Sequence, residues 1–323
     1  MTKLVIQIPC FNEEDTLPSV FEKMPKVIPG IDEIEFQIID DGSTDQTVAI
    51  AKKLGVQHIV SVSRRNRRWL GRAFKAGVDH ALKVGADILV NTDGDNQYPS
   101  ERIPDLVKPI LENKADIVIG NRHPENFYEF SAIKKKLQLL GNKTITFLTG
   151  EPIPDAVSGF RAYHRDALLK IHNYTNYTYT VDTLIQAYKK GLDVAWIDIV
   201  PNPKTRDSRL ITSLVNKVKK SGATILRLVT LYEPFKTFLW LSGIFFVPGV
   251  LLLMRFLYYY LFVPGRGSGF IQSVVVGSIM IVIAMQMFLL GIIGDLLNAN
   301  RRLSEDILTR VRELELNKDN SGK

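Results

Sequence analysis

Two apolar stretches late in the chain constrain it most. From Thr237 to Val263 the only charged residue is Arg255, and from Gly267 to Gly294 there is none. Each exceeds the roughly 20 apolar residues needed to cross ~30 Å of hydrocarbon, and buried helices of soluble proteins rarely run this long without a polar face. Both therefore read as transmembrane helices joined by a short loop, Pro264 to Ser268. The start, Met1-Thr2-Lys3 followed by Leu4 to Pro9, is too short and too soon interrupted for a signal peptide. The region before Lys236 is accordingly expected in the cytosol, with both termini on the inner side of a cytoplasmic membrane. Positive charge agrees: Lys217, Lys219, Lys220, Arg227 and Lys236 precede the first crossing, and Arg301 and Arg302 follow the second. Arg255, near the outer end of its helix beside Tyr258, Tyr259 and Tyr260, can snorkel within an aromatic belt. The lone cysteine, Cys10, leaves no internal disulfide and suits a reducing compartment.

A formal net charge of +7 raises the question of nucleic acid, but no aromatic-interleaved basic stripe or nucleic-acid motif accompanies it. Anionic lipid headgroups account for the juxtamembrane lysines with fewer assumptions. The densest basic run, Arg64-Arg65-Asn66-Arg67-Arg68, reads as a solvated loop. Residues 210–235 carry two apolar stripes, Leu210 to Val218 and Ile225 to Leu231, with Lys and Arg between them, as in amphipathic helices on a membrane surface. After the second crossing, Asn298 to Leu316 forms a charged helical pattern with Leu303, Ile307, Val311 and Leu314 on one side. That pattern suits pairing with another copy of the chain (a homo-oligomer) or a solvated tail.

Before the membrane, short apolar runs alternate with longer amphipathic ones. Strands are predicted at Leu4 to Pro9, Glu35 to Asp40, Gln57 to Val62, Asp87 to Thr92, Ala115 to Gly120 and Asp193 to Ile199. Helices are predicted near Glu14 to Met24, Asp45 to Leu54, Gly71 to Val84 and Glu101 to Asn113. The alternation argues for an α/β fold, a mostly parallel Rossmann-like sheet with helices on both faces. Ligands of such sheets bind at the carboxyl ends of the strands, and the polar clusters of this chain fall there.

The first strand ends in Pro9-Cys10-Phe11-Asn12-Glu13-Glu14 and the second in Asp40-Asp41-Gly42-Ser43-Thr44-Asp45, a carboxylate pair before a turn. Carboxylates there suit the hydroxyls of a ribose or a base and would repel bare phosphate. The fourth strand ends in Asp93-Gly94-Asp95-Asn96-Gln97. Two carboxylates one residue apart, followed by Gln97, offer hard oxygen ligands to Mg²⁺ or Mn²⁺, which would also bridge a diphosphate leaving group. Arg122, Arg161, Arg206 and Arg209 are candidates to grip phosphate in forked geometry. Asp155 is a candidate general base for a hydroxyl acceptor; an anionic phosphate acceptor needs such a base far less.

Taken in order, these motifs resemble family 2 glycosyltransferases of the GT-A fold, in the branch of dolichol-phosphate mannosyltransferase and bacterial polyprenyl-phosphate glycosyltransferases. The resemblance implies that Pro9, Asn12, Glu13, Glu14, Asp40, Asp41, Gly42 and Ser43 hold the nucleoside. It implies that Asp93, Asp95 and Gln97 hold the metal and diphosphate, and that Ser158 to Arg161 lie near the acceptor. The family's late Arg-x-x-Gly-x-Ser-Lys pattern is matched only loosely by Arg206 to Arg209. The implied reaction is inverting transfer from a UDP- or GDP-linked sugar to a polyprenyl phosphate at the membrane. A polysaccharide or glycolipid synthase with a hydroxyl acceptor, and a non-catalytic subunit that binds nucleotide-sugar, are the alternatives. The expected organisation is a catalytic domain over residues 1–209, juxtamembrane helices over 210–235, two transmembrane helices over 236–297 and a tail over 298–323.

Overall fold

The computed structural model describes residues 1–62, 70–123, 132–172, 179–203, 226–227, 229–263 and 270–321. The basic run Arg64 to Arg68, Arg206, Arg209, the stripe Leu210 to Val218 and the loop 264–268 lie outside the described residues. The chain divides into two compact units, Met1–Val218 with Asp306–Lys323, and Lys219–Glu305.

The first unit is built on seven strands: β1 (Lys3–Cys10), β2 (Glu33–Asp40), β3 (His58–Ser61), β4 (Ile88–Asn91), β5 (Ile117–Asn121), β6 (Arg161–His164) and β7 (Val194–Asp198). They lie in the order β3-β2-β1-β4-β6-β5-β7. All neighbours are parallel except β6, which runs against both β4 and β5. Six of the strands fall where the apolar runs predict them. β6 was not anticipated, because Arg161-Ala162-Tyr163-His164 is four residues long and opens on a cation, so it presents no apolar run. Its reversal matters for the site. Arg161 pairs with Asn91 and Ile119 at the carboxyl ends of β4 and β5, so the residues before it arrive at the edge where the parallel strands end.

Successive side chains of a strand face opposite ways, and the two faces differ in chemistry. One is apolar: Leu4, Ile6 and Ile8 of β1, Ile38 of β2, Val90 of β4 and Val118 of β5 are buried against helices α1 (Leu17–Glu22), α2 (Thr47–Lys53) and, after α3 (Leu70–Lys83), α4 (Ile103–Leu111). The other face, covered by α3, is crossed by a chain of buried amides. Gln37 Nε2 donates to Gly77 O (2.9 Å) and to Gln7 Oε1 (3.2 Å), and Gln7 Nε2 donates to Asn91 Oδ1 (2.9 Å). The three side chains are fully buried, so each needs these partners. Gly77 makes the room: a Cβ there would stand 2.0 Å from Gln7 Oε1. Among the described residues, helices α5 (Ala132–Thr149), α6 (Arg165–Lys170) and α7 (Thr180–Lys189) also precede the long apolar helices.

The second unit holds two helices long and apolar enough to cross a membrane, α8 (Pro234–Phe262) and α9 (Ile271–Ser321), with mean hydropathies of 2.1 and 2.4 in their most apolar stretches. They run side by side at small residues, the device of membrane helices that lack a hydrophobic drive to associate. A Cβ on Gly277 would lie 2.9 Å from Gly249 O, and Ser242 Oγ donates to Ala284 O at 2.9 Å. Arg255 stands 5.0 Å from the Phe270 ring, which stacks on Tyr259. The second apolar stretch and the charged pattern after it, read from the sequence as separate elements, form one helix of 51 residues. The end of that helix belongs to the first unit, where Arg312 Nη2 meets Asp79 Oδ1 (2.7 Å) and Thr309 Oγ1 meets His172 Nε2 (3.0 Å). Leu303, Ile307, Val311 and Leu314 are exposed on it.

Two glycines on helices should respond oppositely to alanine. Gly77→Ala forces a methyl into the amide chain and should destabilise the protein by about 3 kcal/mol. Gly141→Ala in α5, where no atom of the described residues lies within 4 Å of the added carbon, should stabilise it by roughly 0.5–1 kcal/mol. Denaturant unfolding of the two variants checks both signs.

Candidate active site

Two of the clusters singled out in the sequence are stitched to each other. The β1 and β2 ends lie side by side, and their loops exchange hydrogen bonds: Asn12 N donates to Ser43 Oγ (3.0 Å), Thr44 N to Asn12 Oδ1 (2.8 Å), Glu13 N to Thr47 Oγ1 (2.8 Å) and Gln46 N to Glu14 Oε2 (2.9 Å). Asp41 N donates to Cys10 O at 3.0 Å. Asn12 adopts a left-handed conformation, φ 54°, which asparagine tolerates better than most side chains. Gly42, at φ 84°, turns the second loop, and Ser43 N returns to Asp40 Oδ1 at 2.9 Å. Glu13 and Asp40 are buried; Asp41 remains partly exposed.

The β4 loop packs onto this pair of loops. A Cβ on Gly94 would sit 3.3 Å from both Cys10 Sγ and Glu13 Cγ, and Thr16 Oγ1 lies 2.7 Å from Gly94 O and 2.8 Å from Glu13 Oε2. Three acidic loops thus converge, and the buried Cys10 thiol registers it: burial first, then the charges of Glu13, Asp40, Asp93 and Asp45, hold its pKa well above the ordinary value. Such a thiol is no nucleophile.

Asp93 is pushed up to about 7, by burial first and then by the charge of Asp95, with Arg122 opposing. A carboxyl that is raised toward neutrality because it is buried and a second carboxylate faces it marks a place that a divalent cation would relieve. The donor set fits a hard cation, for Asp93, Asp95 and Gln97 present only oxygen ligands beside the amide nitrogen of Gln97. Among the described residues no cluster of three His, Cys, Asp or Glu side chains could surround an ion.

Beyond β4, the reversed β6 supplies the facing wall. Gly159 N donates to Tyr98 Oη (2.8 Å), while Asn91 Nδ2 donates to Gly159 O (2.9 Å) and to Tyr179 Oη (2.8 Å). A Cβ on Gly159 would stand 3.0 Å from Tyr179 Oη and 3.6 Å from Asp93 Oδ1. Arg122, just past β5, forks onto Asp155: Nε to Oδ2 at 2.7 Å and Nη2 to Oδ1 at 3.0 Å. Its guanidinium also lies 5.9 Å from the Tyr98 ring. Burial works against the charge of Arg122, but Tyr98, Asp155 and Asp93 outweigh it and raise its pKa.

Two expectations about this wall change. Asp155 is fully buried with both oxygens engaged by Arg122, so it is not poised as a free general base. Arg161 is not a phosphate grip: it is fully buried, and its guanidinium donates to Ser158 O, Ala156 O, Thr180 O and Thr183 Oγ1 at 2.7–3.1 Å. It is an internal strut that closes the turn before β6. Ser158 is buried beside it. Sequence reading missed Gln7, Gln37, Asn91, Tyr98 and Tyr179. For the amides a signal existed, since Gln7, Gln37 and Asn91 each interrupt or end an apolar strand run.

A mostly parallel sheet of this order with one reversed strand, and carboxylate loops gathered at its edge, is an α/β architecture of the GT-A kind. The chain belongs to Glycosyl transferase family 2, whose profile matches residues 5–171. It is 28% identical over 206 residues to polyprenol monophosphomannose synthase of Mycolicibacterium smegmatis, covering 61% of this chain and 76% of that one. To UDP-N-acetylglucosamine–dolichyl-phosphate N-acetylglucosaminyltransferase of Methanococcus voltae it is 29% identical, covering 59% and 82%. Among solved structures, glucosyl-3-phosphoglycerate synthase from Mycobacterium tuberculosis, in complex with Mn²⁺, UDP-glucose and phosphoglyceric acid, shares the fold. Its TM-score is 0.56 at 22% identity, over 71% of this chain and 79% of that one.

The raised Asp93 has a consequence for stability. In the native state its carboxyl titrates at about 7 rather than at the ordinary 3.8, so between those values the folded chain binds more protons than the unfolded one. Stability then falls as pH rises through that window. Asp93→Asn cannot ionise, and should raise the thermal midpoint of the metal-free protein more at pH 8 than at pH 5. Calorimetry at the two pH values checks it.

Proposed function

We propose that the chain transfers a sugar from a UDP- or GDP-linked donor to a polyprenyl phosphate at the cytoplasmic leaflet, inverting the anomeric centre. The observation that carries this reading is the meeting of the β1, β2 and β4 loops at one sheet edge, with the Arg122–Asp155 pair close to Asp93. Relatives named as acting on polyprenol and dolichyl phosphates support the acceptor, and two helices of membrane-spanning length supply a surface where such a lipid resides. In this reading residues 1–209 carry the chemistry, 210–235 lie on the bilayer, 236–297 span it, and 298–323 return to the cytoplasmic side.

Each group then has a task. The joined loops Pro9 to Glu14 and Asp40 to Ser43 hold the nucleoside, their carboxylates and amides facing ribose and base hydrogen-bonding groups. Asp93, Asp95 and Gln97 hold Mg²⁺ or Mn²⁺, which when bound neutralises the departing diphosphate as a Lewis acid. Arg122 presents fixed positive charge beside those carboxylates, oriented by Asp155, where an anionic acceptor and an anionic leaving group must approach each other. Arg206 and Arg209 receive the lipid phosphate. The engagement of both Asp155 oxygens favours phosphate over a hydroxyl acceptor: a phosphate is already anionic at neutral pH and asks for no base. The domain otherwise contributes proximity, holding two anions in line that would separate in water.

A donor panel with Mn²⁺ and a short polyprenyl phosphate, products resolved by mass, tests the reaction. A lipid-linked monosaccharide is the expected product; formation of only free sugar and nucleotide across the panel would refute the acceptor. Asp95→Ala should cut turnover at least a thousandfold with the circular dichroism spectrum unchanged, and normal turnover in a metal titration would contradict its role. Asp155→Asn and Arg122→Ala should each slow transfer, and the double variant should be no slower than Arg122→Ala alone, as for residues acting through one group. Fully multiplicative losses would instead give Asp155 a separate task.

A further inference from the structure

The turn that bears Asp95 and Gln97 is held from outside by a residue that belongs to none of the motifs above. Asn202, four residues past the end of β7, donates its backbone N–H to Gln97 O at 3.0 Å and its side-chain Nδ2 to Asn96 O at 3.0 Å. The two carbonyls belong to consecutive residues of the turn. Asn96 sits in the left-handed region, φ 57°, and Gln97 N folds back to Asp95 Oδ1 at 3.1 Å. A turn of this shape orients Asp95 and the Gln97 side chain together, and the Asn96 and Gln97 carbonyls fix its tilt.

The sequence around Asn202 suits it to that task. It is flanked by Pro201 and Pro203. Neither proline has an N–H, so Asn202 carries the only backbone donor of the three residues, and Pro203 biases it toward extended backbone. Both of its hydrogen-bond donors at the turn thus come from one conformationally restricted residue. In the sequence Asn202 precedes by four and seven residues Arg206 and Arg209, which the proposed function gives to the acceptor phosphate.

We infer that Asn202 is a positioning residue for the cation and diphosphate: it holds the Asp95–Gln97 turn in its binding geometry through its backbone and side-chain donors. This rests on the proposed reading of Asp93, Asp95 and Gln97 as the metal loop, though the hydrogen bonds themselves do not. Asn202→Ala removes the side-chain donor and keeps the backbone one. Asn202→Asp keeps the shape but turns the donor into an acceptor facing a carbonyl.

The test uses the full chain in detergent with two measurements. Amide hydrogen exchange without nucleotide or metal should quicken about tenfold over residues 95–98 in both variants, with β1 and β4 unchanged. Titration calorimetry of Mn²⁺ into protein saturated with UDP or GDP should show about tenfold weaker metal binding, with nucleotide affinity in chelator unchanged. Unaltered exchange at 95–98, or equal loss of nucleotide affinity in chelator, would overturn the inference, the latter because it signals general loosening. Should the parent protein bind no Mn²⁺ with either nucleotide, the functional reading fails, and with it the metal-positioning claim; the exchange measurement then still decides whether Asn202 holds the turn.

Discussion

The site depends on Asn91, because that side chain is where the interior of the sheet becomes the floor of the active site. It accepts from Gln7 across β1 and donates to Gly159 O and Tyr179 Oη on the far side. It is buried and immediately precedes the carboxylate loop. An amide in an apolar interior is costly unless its groups are paired, and once paired it resists displacement. The chain Gln37, Gln7, Asn91 therefore acts as a polar rail through three strands, and the β4 end cannot shift without leaving several buried groups unsatisfied. What an enzyme needs where it must hold two carboxylates together against their repulsion is a backbone that does not yield.

The same need explains the reversed strand. A wholly parallel sheet would bring only strand ends and their following loops to the edge. By running β6 backwards between β4 and β5, the fold delivers the segment before a strand, Asp155 to Phe160, to the same edge. That segment carries the carboxylate that orients Arg122 and the glycine that lets Tyr98 and Tyr179 close against Asp93. Arg161 holds the segment's shape by donating to two of its carbonyls, Ala156 O and Ser158 O. A guanidinium with no exposed surface is tolerated because these and two oxygens of Thr180 and Thr183 accept four of its five N–H groups.

The strand-end clusters were legible in the sequence because a parallel α/β sheet places polar loops at one edge by topology alone, and short apolar runs between amphipathic ones announce that topology. Asn12, Asp40 and Asp93 could be grouped without coordinates for that reason. Their partners could not. The hydrogen bonds from Asn12 to Ser43 and Thr44 depend on a left-handed backbone at residue 12, which no spacing reveals. β6 was missed because its residues are held by neighbours on both sides rather than by their own apolarity. Arg161 was misjudged for a related reason: an arginine beside an acceptor motif looks the same in sequence whether it faces solvent or the interior. The two long apolar helices were the plainest feature, though the sequence does not show that the second joins the charged helical stretch after it. Hydropathy stops at Asp295, but nothing in the backbone preferences of residues 295–316 ends a helix, and α9 continues through them.

Electrostatics orders the events that this geometry allows. With burial and the Asp95 charge raising the Asp93 carboxyl to about 7, the edge of the sheet carries less negative charge near neutrality than its acidic residues suggest. Arg122 keeps its charge despite burial because Tyr98, Asp155 and Asp93 surround it. A fixed cation therefore stands beside a carboxyl that is reluctant to ionise. In the proposed reading this favours a phosphate acceptor over a neutral hydroxyl, since a hydroxyl would ask for a free carboxylate and both Asp155 oxygens are engaged by Arg122.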